Sequence, residues 1–398
     1  LLMQRTRPEK AVRFLGNIEF DYKMHFLPEL RAVVNLGLDA SRARIRENFS
    51  DNSLATYRVI NSGANYVFNS GKNYSENQTM TNTTLDSYLA YTKTFDGFFK
   101  KFDIQGGYSY QNFKNDGNKE IYRYNETTGI REVLPNDNNP NNRYYNVLNL
   151  QSFFGRANFD FDNKYLLTLS LRADGSSLFR EENRWGYFPS AAFAWRMFDE
   201  PFMEGTKDWL SNLKFRLSYG TAGNNRIPDG SMYTTFSVAG TGDKSIYFGD
   251  QTATVLKHGD ILSNPELKWE TTISRNLGFD FGFWNNRLSG SLDFYWNTTQ
   301  DLLMKTTIAA SSGYGYQYKN LGQTSNKGVE LQLDGVILDK KNYGLNFNFN
   351  ISYNRGKIDK LDGNSSWQSS KWGGSAAAGL EDFLIEEGGR LGEVYGYK

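Results

Sequence analysis

The sequence predicts an all-β chain: a transmembrane, antiparallel up-and-down β-barrel, with about twelve strands here belonging to a larger barrel. Three observations predict it. Twelve stretches alternate apolar with polar residues, which puts one set on each face of a strand. The gaps between them are alternately short and long. No apolar run approaches the length of a membrane-crossing helix, although the chain is rich in aromatics.

The strands follow in order. Residues 12–22 set Val12, Phe14, Ile18, Phe20 and Tyr22 against Arg13, Asn17, Glu19 and Asp21. Residues 30–40 set Leu30, Ala32, Val34, Leu36 and Leu38 against Arg31, Asn35 and Asp39. Further strands are expected at 85–95 and 102–112. The clearest hairpin is 151–174. Phe153, Gly155, Ala157, Phe159 and Phe161 oppose Arg156, Asn158 and Asp160, and the chain turns at Asp162-Asn163-Lys164. On the return, Tyr165, Leu167, Leu169, Leu171 and Ala173 oppose Thr168, Ser170, Arg172 and Asp174. Strands at 185–197 and 213–221 come next. A second hairpin, from 268 to 296, turns at Asn285-Asn286; its apolar set includes Leu277, Phe279, Phe281, Leu292, Phe294 and Trp296. The last two strands are 327–337 and 343–354, the latter with Leu345, Phe347, Phe349 and Ile351 opposite Asn346, Asn348 and Asn350.

Short connections fall at Phe26–Glu29, Asp96–Lys101, Asp162–Lys164, Phe198–Asn212, Trp284–Arg287 and Asp339–Asn342, and are expected in the periplasm. Long ones at 41–84, 113–148, 175–184, 222–267, 298–326 and 357–398 are expected outside the cell. An open sheet in lipid leaves unpaired N–H and C=O groups at its edges, at several kcal/mol each. The chain is therefore read as an interior piece of a longer polypeptide. A closed barrel of these twelve strands is the alternative, and needs Val12–Tyr22 to pair with Tyr343–Tyr353. The net charge of +1 gives no field for nucleic acid, and the absence of cysteine excludes disulfides and thiolate chemistry.

Several segments resemble SusC/RagA-type TonB-dependent outer-membrane transporters of the Bacteroidetes. They are Leu169–Phe179 (LSLRADGSSLF), Trp185–Met197 (WGYFPSAAFAWRM), Leu213–Asn224 (LKFRLSYGTAGN), Asn264–Thr271 (NPELKWET), Asn326–Leu333 (NKGVELQL) and the terminal Gly392–Tyr397. The resemblance implies a plugged barrel of about 22 strands, of which this chain holds neither plug, TonB box nor final strands. It implies import of oligosaccharides or peptides across the outer membrane, with a SusD-like lipoprotein as lid. It also implies coupling to TonB through the missing N-terminal part, and a dimer of transporter–lipoprotein pairs.

Catalytic chemistry is not legible. The two histidines, His25 and His258, cannot build a His-rich cluster, and no Ser-His-Asp spacing, P-loop or HExxH occurs. No cofactor is expected. Calcium is the one candidate ion, through Asn115-Asp116-Gly117-Asn118, Asp137 or Asp362-Gly363-Asn364, and none of these matches an EF-hand. Loop aromatics are the better lead. Trp367 and Trp372, and Tyr314, Tyr316 and Tyr318, are the candidate substrate-binding residues; their plain alternative is packing between loops. Arg156, Arg172, Asp174, Arg216 and Asp280 are expected on the lumen-facing side. The reading is transport rather than catalysis. Its rivals are a passive porin-like barrel and a soluble β-rich glycan-binding protein or hydrolase.

Overall fold

The computed structural model describes residues 5–49, 58–59, 66–67, 73–124, 131–133, 143–228, 231–238, 246–248, 251–253, 256–361, 366–369 and 383–394. Twelve long strands form its frame. They are β1 (Glu9–Lys23), β2 (Leu30–Phe49), β3 (Asn73–Thr94), β4 (Phe99–Tyr124), β5 (Arg143–Phe161) and β6 (Tyr165–Ser176), then β7 (Trp185–Arg196), β8 (Leu210–Asn224), β9 (Glu270–Phe283), β10 (Leu288–Gln300), β11 (Gln323–Lys340) and β12 (Tyr343–Lys360). Each pairs antiparallel with the next, so the sheet is a single up-and-down meander. Two short strands, Arg5–Thr6 and Arg131–Val133, join it beside β2 and β4.

The expected barrel is corrected here: the sheet does not close. Among the described residues β1 pairs only with β2, and β12 only with β11. Val12–Tyr22 and Tyr343–Tyr353 do not meet. Alternation in a sequence fixes the two faces of each strand. Closure depends on tilt and stagger accumulated across all the strands, which no single strand records.

The faces are those the alternation predicts. One row of cross-strand partners runs Phe102–Phe159–Leu167–Phe193–Leu217–Leu277–Phe294–Val329–Tyr353, from β4 to β12. Direct partners lie on one face, so this face is apolar across nine strands. Much of it is exposed, including Leu169, Leu171, Leu217, Phe294 and Ile351. An exposed apolar surface of this extent marks contact with lipid or protein. Rings crowd its short-turn end, where Tyr165 stacks on Trp195 and Trp209 on Phe283. At the other end Arg275 lies over Tyr219 and Trp296.

The short turns owe their shape to their residues. Asp162 and Asn163 have φ of 53° and 55°, and Asn285 and Asn286 have 56° and 59°. Asp and Asn tolerate this left-handed region better than other non-glycine residues. The long connections differ more from expectation. β3 begins at Asn73 and β4 runs to Tyr124, so much of the predicted loops 41–84 and 113–148 is paired strand. That includes Asn115–Asn118, one of the calcium candidates.

Candidate functional site

The opposite face of the sheet is polar, and its charges pair across strands. Arg216 spans β8 to β10: its guanidinium donates to Asp280 at 2.7 Å and to Asp293 at 3.1 Å. It crosses β9 above Gly278, where an added Cβ would stand 2.6 Å from an Asp293 oxygen and 2.7 Å from Arg216 Cζ. Arg172 donates to Asp174 at 2.6 Å and to Ser152 at 2.9 Å. Arg156 donates to Asn158 at 3.2 Å. The five charged residues singled out in the sequence thus belong to one mixed-sign face, with each charge engaged by a neighbour.

Above this face the loops build a small core. Phe179, Phe188, Ile227, Met232, Leu267 and Trp269 are buried against one another. Phe188 is the cross-strand partner of Arg172, which places the cluster on the polar side. Trp269 lies 5.6 Å from both Phe179 and Phe188, and its indole N–H donates to the Arg184 carbonyl at 2.8 Å. Gly223 leaves room for the rings: an added Cβ would fall 2.1 Å from Phe188. The amide of Asn264 donates to the Tyr318 carbonyl at 2.8 Å, and Asn320 bridges Lys268 and Asp301. These bonds fasten the short strand Tyr316–Asn320 to the segment before β9.

The candidate tyrosines take different places. Tyr314 packs against the His258 ring, with ring centres 4.2 Å apart and planes tilted by 32°. Tyr316 lies under the Lys305 ammonium at 3.7 Å. Tyr318, half-buried, packs against the loop core. Trp372 lies outside the described residues. Trp367 has a described backbone in the strand Ser366–Ser369, but its side chain lies outside them. Asp137 and Asp362–Asn364 also lie outside. Among the described residues no three His, Asp or Glu side chains gather where they could hold a metal ion.

The alternation gave no hint of the loop core, because its residues are scattered and follow no period. One signal was present. Phe179, Phe188, Leu267 and Trp269 belong to three of the segments that carry the family resemblance. Those segments meet in space.

The comparisons agree with this geometry. The family model for the TonB dependent receptor-like β-barrel matches residues 9–396. The TonB-dependent receptor SusC of Bacteroides thetaiotaomicron is 32% identical over 351 residues, which cover 88% of this chain and 33% of that protein. A TonB-dependent receptor of Formosa agariphila is 33% identical over 336 residues, covering 81% and 32%. The chain therefore spans about a third of the length of these relatives. Among solved structures, the RagAB peptide transporter superposes with a TM-score of 0.76 at 23% identity, over 97% of this chain and 40% of that one, a likeness of fold. The chain belongs to the TonB-dependent receptor-like β-barrel family of the bacterial outer membrane.

Proposed function

We propose that the protein containing this chain imports oligosaccharides or peptides across the outer membrane by TonB-dependent active transport, with a SusD-like lipoprotein as its lid. The observation that carries this reading is the family match along the whole sheet, together with the two-faced wall itself. The apolar face lies against lipid. The polar face, with Arg156, Arg172, Asp174, Arg216 and Asp280, lines the transport path. The long loops face outward, and Tyr314 and Tyr316 offer ring faces to the ligand, with Tyr318 anchoring their segment in the loop core; Trp367 and Trp372 are the further candidates for stacking on it. TonB engages a part of the protein outside this chain, and transporter–lipoprotein pairs associate as dimers.

Growth of a strain lacking the full-length gene, on defined glycans and peptides as sole nutrient, tests the reading. Restored full-length protein should restore growth, and collapse of the proton gradient should stop uptake. Uptake that persists without energy would support a passive pore instead. The Trp367→Ala/Trp372→Ala double variant should take up the same nutrient more slowly while expressing normally. Unchanged uptake would assign both indoles to packing.

A further inference from the structure

A concavity of about 840 Å³ opens on the polar face at the long-loop end of β3, β4 and β5. Its floor consists of two adjacent cross-strand rows, Asn82–Phe113–Leu148 and Met80–Asn115–Asn146. Positions two apart on a strand share a face, so these six side chains stand together, on the side that carries Arg156. Leu178 and Ile227 form the roof.

The roof is fixed in place. The Ser177 N–H donates to the Asn149 carbonyl at 3.0 Å, and the Asn149 N–H donates to Ser177 Oγ at 3.0 Å. The amide of Asn225 donates to the buried Ser176 hydroxyl at 2.9 Å, and Ile227 is part of the loop core.

The floor keeps hydrogen-bonding capacity. Asn82 spends its NH₂ on Asp39 at 3.3 Å, leaving its carbonyl oxygen as an acceptor. Asn115 spends its oxygen on Gln78 at 3.1 Å, leaving its NH₂ as a donor. No carboxylate lines the concavity, and the exposed Arg226 stands at its lip. The volume falls within the range of small-ligand sites, roughly 300–1,000 Å³.

We propose that this concavity binds one segment of a peptide, a refinement that rests on the import reading above. An apolar side chain enters between Phe113, Leu148, Leu178 and Ile227. Asn82 accepts from a backbone N–H of the peptide, Asn115 donates to a backbone carbonyl, and an acidic residue of the peptide turns to Arg226. A peptide fits better than a glycan because the apolar walls are chiefly branched aliphatic chains. Such walls match a branched side chain, whereas a sugar ring needs a free, flat aromatic plane; of the two aromatic residues lining the concavity, Phe113 stands in the floor and Tyr145 has the Lys114 ammonium over its ring at 4.8 Å.

The test uses the purified full-length protein, calorimetry, and three probes. Two are the acetylated, amidated tetrapeptides Gly-Leu-Asp-Gly and Gly-Leu-Asn-Gly; the third is a linear glucose heptaose. The acidic peptide should bind. Leu148→Trp should abolish binding by filling the cavity, and Asn115→Ala should weaken it about 3- to 10-fold, the value of one hydrogen bond. Arg226→Gln, on an exposed side chain that folding does not need, should weaken the acidic peptide and leave the amide peptide unchanged.

Absence of peptide binding to the wild type, or affinity unchanged by Leu148→Trp and Arg226→Gln, overturns the proposal. Binding of the heptaose in place of peptide, blocked by Leu148→Trp, also overturns it in favour of a glycan. Energy-dependent uptake of any nutrient alongside these negative results leaves the import reading standing. Peptide binding without uptake by the cell counts against the import reading and not against the site.

Discussion

At the scale of single residues, two side chains report on the two environments of the wall. Leu169 is exposed on the apolar face, between Ala157 on β5 and Ala191 on β7. Leu169→Arg puts a charge where lipid is expected and should cost about 2–4 kcal/mol near the bilayer midplane. Unfolding of the full-length protein in vesicles measures it; a neutral substitution would mean that this face meets water. Glu200 sits at the short-turn end and is 8% exposed. It accepts from the Tyr165 hydroxyl at 2.6 Å and the Trp195 indole at 3.0 Å, and Lys164 lies 3.6 Å away. The Tyr165 hydrogen bond first, then that of Trp195, hold its carboxyl below the ordinary value of 4.5. A depressed carboxylate stabilises the fold fully above its unfolded pKa and loses that contribution as pH falls through the folded value. The melting temperature of the wild type should therefore exceed that of Glu200→Gln at neutral pH, and the gap should narrow below pH 4.5. A gap independent of pH would assign Glu200 a purely steric part.

At the scale of elements, the strands differ more than twofold in length. β6 and β7 have 12 residues each, while β4 has 26. The sequence showed all twelve strands because a strand between lipid and a polar interior must alternate. It hid the upper ends of β3 and β4 for the same reason. The stretch 73–84, Asn-Tyr-Ser-Glu-Asn-Gln-Thr-Met-Thr-Asn-Thr-Thr, is polar at nearly every position and has no period to show. The candidate site was legible only where chemistry is local. Tyr314, Tyr316 and Tyr318 announce a ring-bearing strand, but that Tyr318 turns into the loop core depends on Phe179, Leu267 and Trp269, remote in sequence. The amide and apolar rows beneath Leu178 were equally invisible, since Asn82, Phe113 and Leu148 become neighbours only through the register. Cysteines introduced singly at Ser312 and at Asn163 test the sidedness of these elements. A membrane-impermeant maleimide should label Ser312→Cys on intact cells and reach Asn163→Cys only after permeabilisation; the reverse pattern would invert the wall.

At the scale of the whole molecule, the open sheet makes a further expectation. β1 and β12 each present an unpaired edge among the described residues, together with an exposed apolar face. Such edges cannot lie bare in hydrocarbon. The 398-residue chain expressed alone should not insert as a heat-modifiable barrel. Faster migration of the unheated sample on a cold gel would contradict this and favour closure between the two edges.

The long ladders also decide how the wall answers force. β3 and β4 share 22 register pairs, from Asn73 with Tyr122 to Thr94 with Lys101. Tension drawn between the turns and the outer loops runs parallel to the strands, so it loads a whole ladder of bonds in shear. Tension across the sheet would peel them one pair at a time. The wall is thus stiffest along the direction in which a tug from the periplasm would act, and it yields first at β1 and β12, each held by one long ladder.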